Sequence, residues 1–159
     1  MRERQPENSY PMNTVLRSGR EAPAEAAIIM PSSLGTVLLV EDEEGIREVT
    51  AMLLSHLKYS VICAACGADA IEKFQKHQGS IDVLLTDVVM PGINGRVLAE
   101  RLAPLQPGMK VLYMSGYTDS FIAGHGVLEQ GTHLLHKPFT QEGLSRKVRE
   151  LLEDRKSVV

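Results

Sequence analysis

Five short apolar runs, each the length of a strand and each separated from the next by a segment of different character, constrain this chain more than any other feature. Thr36–Val40 is the first, and Ile46, Val49, Leu53, Leu54 and Leu57 follow it at helical spacing. Tyr59–Ala64 is the second run, followed by a predicted helix over Ala68–His77 with Ala70, Ile71 and Phe74 on one face. Ile81–Thr86 is the third, and after the turn Met90–Gly95 a helix carries Val97, Leu98 and Leu102 inward. Met109–Met114 and Thr132–Leu135 are the fourth and fifth, and Gln141–Glu153 closes the pattern as a helix with Leu144, Val148, Leu151 and Leu152 inward. Between those last two runs, Thr118–Gln130 holds Gly124 and Gly126, which weaken any helix and make it the segment expected to be most mobile. Strands apolar on both faces need cover on both faces, so the pattern predicts an α/β fold: a doubly wound five-stranded parallel sheet with helices on both sides.

The 159 residues predict a single domain, and a chain of this size buries enough surface to fold without disulfides or a structural metal. Residues 1–34 sustain neither a helix nor a strand period and contain Pro6, Pro11, Pro23 and Pro31, so they read as a flexible leader or linker before a domain over 35–156. Arg2, Arg4, Arg17 and Arg20 balance Glu3, Glu7, Glu21 and Glu25 there, which leaves the net charge of −3 to the domain. Without a Lys/Arg run the chain is not expected to bind nucleic acid directly. It has no membrane-length apolar stretch and no secretory signal, and two cysteines suit a reducing compartment, so the expected location is cytoplasmic.

Open parallel sheets gather their chemistry beyond the carboxyl ends of the strands. The first run ends in Glu41 and Asp42, the third in Asp87, the fourth in Ser115, and the fifth leads into Lys137. Three carboxylates in one crevice repel one another unless a cation neutralises them, and oxygen donors without His or Cys suit Mg2+. Lys137 adds a positive point charge and Ser115 a hydroxyl donor, a combination that describes phosphoryl transfer to an aspartate. Taken singly each has a plainer reading: acidic residues favour a helix N-terminus, and Asp87, Ser115 and Lys137 could be turn, loop and surface residues. Complementary groups at four strand ends outweigh those readings.

Four blocks, Val37-Leu-Leu-Val-Glu-Asp-Glu-Glu44, Asp82-Val-Leu-Leu-Thr-Asp-Val-Val-Met-Pro-Gly-Ile-Asn-Gly95, Met114-Ser-Gly-Tyr117 and His136-Lys-Pro-Phe139, resemble the receiver domain of two-component response regulators. The match covers about 35–154, and the last two blocks are most similar to receivers at the C-terminus of hybrid histidine kinases. The resemblance implies the flavodoxin-like receiver fold and two-component phosphorelay signalling. Asp87 would be the phosphoacceptor, taking its phosphoryl group from a sensor histidine kinase or a histidine phosphotransfer protein. Asp42, Asp87 and the Val89 carbonyl would hold Mg2+, with Glu41 acting through water. Ser115 would bind a phosphoryl oxygen, and Lys137 would pair with Asp87 across a bond to Pro138 that is usually cis in this family. Phosphorylation would then switch a protein-interaction face built from Thr118–Gln130, Thr132–Leu135 and Gln141–Glu153, toward an unidentified downstream protein. A homodimer formed on phosphorylation is compatible with that face.

The implied protein is a phosphoacceptor with self-phosphorylation rather than an enzyme, either standing alone or cut from a hybrid kinase. Too little chain follows Asp154 for a DNA-binding output domain. The family often has an aromatic switch residue three positions before the lysine, where this chain has Leu134. Val89 and Tyr117, two residues beyond Asp87 and Ser115, can screen an acyl phosphate from water and so predict slow self-dephosphorylation. Two competing functions use the same residues. One is a Mg2+-dependent aspartyl-phosphate hydrolase, disfavoured because no loop is long enough to enclose a substrate; the other is a constitutive receiver-like binding module, disfavoured by the intact Asp42, Asp87, Ser115 and Lys137.

Cys63 and Cys66 have the spacing of redox and zinc sites, but no second pair exists and the motif is expected to straddle a strand end and a loop rather than a helix N-terminus, so ordinary buried cysteine is the better reading. His125, His133 and His136 lack supporting ligands for a metal site, while His56 and His77 sit near helix C-termini, where they complement the dipole.

Overall fold

A computed structural model describes residues 27–29, 32–116 and 132–157. Its elements are β1 (Ala27–Ile28), β2 (Thr36–Val40), α1 (Glu44–His56), β3 (Ser60–Ala64), α2 (Gly67–Lys76), β4 (Val83–Asp87), α3 (Gly95–Leu102), β5 (Lys110–Ser115), β6 (Leu134–His136) and α4 (Gln141–Ser157). The segment Thr118–Gln130 lies outside the described residues, as does Tyr117.

The strand order is β1-β3-β2-β4-β5-β6, and β2 to β6 are parallel throughout. These are the five strands that the apolar runs predict. The sheet differs from that expectation at one edge, where Ala27 and Ile28, inside the expected leader, pair antiparallel with Ile62 and Val61. Two residues carry no readable strand period; it is the open edge of β3 that makes them a strand.

Alternation along the strands sends successive residues to opposite faces. Val37, Leu39, Val61, Leu85 and Leu112 pack beneath α1 and α4 with Leu54, Leu144, Val148 and Leu151. Leu38, Val40, Ile62, Leu84 and Tyr113 pack on the other face with Ala70 and Phe74 of α2 and Leu98 and Leu102 of α3. A two-sided core of this kind brings all five parallel strand ends to one edge.

Two expectations about α1 and the cysteines change in the folded chain. The face of α1 toward the sheet is Arg47, Thr50, Ala51 and Leu54, whereas Val49, one of the apolar residues at helical spacing, is 57% exposed. Cys63 is buried in β3, and Cys66, expected in a loop, is the N-cap residue of α2. Both thiols are free, and burial pushes that of Cys63 up despite the nearby charges of Arg47 and Lys73. His56 ends α1 and His77 caps α2, as their spacing predicts.

Candidate functional site

Each predicted site residue stands at a strand end because the apolar run before it is consumed by the sheet. Glu41 and Asp42 follow β2, Asp87 is the last residue of β4, Ser115 the last of β5, and Lys137 follows β6. Register fixes their alignment, with Asp87 opposite Met114 and Ser115 opposite His136. The backbone N–H of Val88 donates to Met114 O at 3.0 Å, and that of Lys137 donates to Ser115 O at 2.9 Å. These bonds extend the sheet one residue past its strands and hold the loops in place.

One carboxylate oxygen from each of Glu41, Asp42 and Asp87 lies within 4.8 Å of the other two. Glu41 is buried, its Oε1 accepting from the Glu43 N–H at 3.1 Å and its Oε2 from Lys137 Nζ at 2.7 Å. Lys137 Nζ also donates to Asp87 Oδ2 at 3.2 Å, so the ammonium bridges two carboxylates instead of the single one expected. The Lys137–Pro138 bond is cis. Asp42 is exposed and Ser115 buried, and the Val89 side chain is 47% exposed at the rim.

Burial pushes the Asp87 carboxyl up to about 6; the Lys137 charge and hydrogen bond oppose this, while the charges of Glu41 and Asp42 add to it. For Lys137, burial works against the ammonium, but its hydrogen bond to Glu41 and the charges of Asp87 and Glu41 prevail and hold its pKa above the usual lysine value. The cluster therefore carries more negative charge than one lysine neutralises. Hard oxygen donors, close together and short of a counter-charge, fit a divalent cation such as Mg2+.

Several contributors escape the motif reading. Arg47, in the first turn of α1, is buried with Nη1 donating to Glu41 O at 2.8 Å. Gly95 N–H donates to Val88 O at 2.9 Å, and a Cβ at Gly95 would stand 2.1 Å from Asp87 O. Thr86 Oγ1 donates to the same Asp87 carbonyl at 3.0 Å. The only sequence signal for Gly95 is its place in the Gly-Ile-Asn-Gly turn, where Asn94 accepts from Val97 N–H and caps α3. In that turn Gly92 has φ 79°, the region that favours glycine.

The sequence model of the response regulator receiver domain matches residues 37–149, which span all of these strand ends. The chain belongs to that family. Among its relatives the receiver is 34% identical over 136 residues to the sensor kinase CckA of Brucella abortus (strain 2308), a match covering 86% of this chain and 14% of that protein. It is 29% identical to the response regulator receiver protein CpdR of the same organism, covering 73% of this chain and 95% of that protein. Among solved structures, the receiver domain of the hybrid histidine kinase CckA aligns with a TM-score of 0.64 at 35% identity, covering 74% of this chain and 99% of that one. A receiver domain protein from Clostridium thermocellum shares the fold with a TM-score of 0.70 at 24% identity, over 79% of this chain and 100% of its own. The receiver thus spans a small part of one curated relative and nearly all of another. Among its described residues no helix is long and apolar enough to cross a membrane.

Proposed function

We propose that this receiver accepts a phosphoryl group from a phosphohistidine onto Asp87 and passes the signal on through a protein-interaction face. The observation that carries this reading is Asp87 itself: a strand-end carboxylate 3.2 Å from Lys137 Nζ and within 4.8 Å of two further carboxylates. An Asp87 carboxylate oxygen attacks phosphorus, the P–N bond to the imidazole breaks, and the electron pair leaves on that nitrogen. At neutral pH the Asp87 carboxyl is largely ionised and needs no separate base.

Asp42, Asp87 and the Val89 carbonyl would hold Mg2+, whose charge offsets that of the incoming phosphoryl oxygens. Glu41 fits a place one step removed, through water, because both of its oxygens already accept from Glu43 and Lys137. Lys137 orients Asp87 and then pairs with its phosphoryl group, and the Ser115 hydroxyl donates to a phosphoryl oxygen. The extra charge on Asp87 would draw Ser115 inward and shift the segment after β5, which is the readout. Leu134, half-buried against the core on the α3 side, stands where the family often has an aromatic switch residue.

The donor would be a sensor histidine kinase or a histidine phosphotransfer protein, in the cytoplasm, and similarity to CckA and CpdR supports that class. Ile46, Val49 and Leu53 of α1, with Pro138 and Phe139, line an apolar hollow of about 450 Å3 that Lys137 borders. An apolar helix face seated there would bring its histidine to the Asp87 edge. Val89, two residues past Asp87, offers an attacking water no side-chain hydrogen bond, which would make self-dephosphorylation slow.

Intact mass after incubation with a small acyl phosphate, with and without Mg2+, tests the reading on the wild type and Asp87→Asn. One Mg2+-dependent phosphoryl adduct, absent from the variant, is expected. A folded wild type that binds Mg2+ and gains no adduct refutes it.

A further inference from the structure

We infer that Arg47 is a positioning residue of the metal site, fixing the Glu41–Asp42 peptide so that Asp42 is held over Asp87. The inference rests on reading Glu41, Asp42 and Asp87 as that site.

Arg47 occupies a position where a charge is expensive. It shares the sheet-facing stripe of α1 with Thr50, Ala51 and Leu54 and is 4% exposed. Its Nε is buried without a hydrogen-bond partner. A residue needed there only to fill space would be apolar, since an unpaired buried donor costs free energy. The guanidinium does make one charge-assisted bond, from Nη1 to Glu41 O at 2.8 Å.

That carbonyl belongs to the peptide joining Glu41 to Asp42. The peptide is planar, so holding its oxygen sets the direction in which the chain leaves toward the Asp42 Cα. Glu41 is held independently at three other points: its N–H donates to Ala64 O at 3.1 Å, and its carboxylate accepts from Glu43 and Lys137. Asp42 is exposed, so the packed core does not fix its side chain. Its location depends on the backbone, and Arg47 grips the backbone at the adjacent peptide.

The sign of one measurement separates this role from a purely electrostatic one. Removing a nearby positive charge should tighten binding of a divalent cation by simple Coulomb attraction. Losing a positioning residue should weaken it.

Arg47→Met and Arg47→Lys, titrated with MgCl2 by calorimetry at a temperature where circular dichroism shows each folded, provide the test. Arg47→Met is expected to raise the Mg2+ Kd about tenfold and Arg47→Lys to fall between it and the wild type. Acyl phosphate at saturating Mg2+ should restore the adduct in both. An unchanged or tighter Kd in the folded variants overturns the inference. Failure of both variants to fold assigns Arg47 to the core and overturns it equally. A wild type that binds no Mg2+ refutes the metal reading itself, and this inference with it.

Discussion

Lys137 Nζ lies 2.7 Å from Glu41 Oε2, joining residues 96 positions apart in sequence. The Glu41 side chain is 1% exposed, so this ammonium is what makes its burial as an anion tolerable. Lys137→Met should destabilise the fold by about 3 kcal/mol, the size of effect seen when a buried ion pair loses one partner. Glu41→Gln combined with Lys137→Met should recover part of that loss, because the more buried of the two carboxylates that Lys137 pairs with is then neutral and only Asp87 is left without its cation. Urea midpoints of the two single variants and the double variant provide the check. Strict additivity would show that the pair is not coupled.

The pH behaviour of the metal-free protein follows from Asp87. Its carboxyl is pushed up to about 6, by burial first, against 3.8 for the ordinary group. The folded state then binds this proton more tightly than the unfolded chain, so the contribution of Asp87 to stability declines as pH rises from about 4 to about 6 and is level above. A change of that size corresponds to about 3 kcal/mol. In EDTA, Asp87→Asn should therefore be more stable than the wild type at pH 7.5 and show no such gain at pH 4. Thermal unfolding at the two pH values decides it; an equal gain at both would assign the effect to packing.

Gly95→Ala should harm both fold and site, although alanine is the better helix former by about 1 kcal/mol. The added Cβ would meet Asp87 O at 2.1 Å and Thr86 Cγ2 at 3.2 Å, and the nearer obstacle is backbone that cannot rotate away. A net loss of about 2 kcal/mol is expected, with a lower adduct yield in the fraction that remains folded. A variant with wild-type melting temperature and adduct yield would show that the loop after Asp87 yields easily.

Val89→Asn probes how the acyl phosphate is shielded. Val89 is 47% exposed, two residues past Asp87, where an amide could hydrogen-bond an attacking water and the valine cannot. Dephosphorylation should accelerate on the order of fivefold, about 1 kcal/mol of barrier. Decay of the adduct mass with time measures it, and an unchanged rate would remove Val89 from the account. Tyr117→Glu tests the second screening position in the same way.

The local sequence determined most of the scaffold. Thr36–Val40 is the same strand in the sequence and in the folded chain, and the others shift by no more than two residues at either end. Runs such as Val37–Val40 are apolar at every position because both faces of the central strands are covered, and the two core clusters divide those residues alternately. Glu41, Asp42, Asp87, Ser115 and Lys137 were legible for the same reason, as polar residues ending apolar runs at the edge where such sheets keep their chemistry.

Tertiary structure alone decided the rest. Ala27 and Ile28 become a strand only because β3 offers an unpaired edge. The apolar spacing of α1 points to Val49, but the sheet beneath selects Arg47, Thr50, Ala51 and Leu54, leaving Val49 to the hollow beside Pro138 and Phe139. That Lys137 bridges Glu41 and Asp87, and that Arg47 holds the Glu41 carbonyl, are distances set by packing around one sheet edge. Periodicity reports which face of an element is apolar, within a few residues of chain; it carries no information on which distant group will stand opposite.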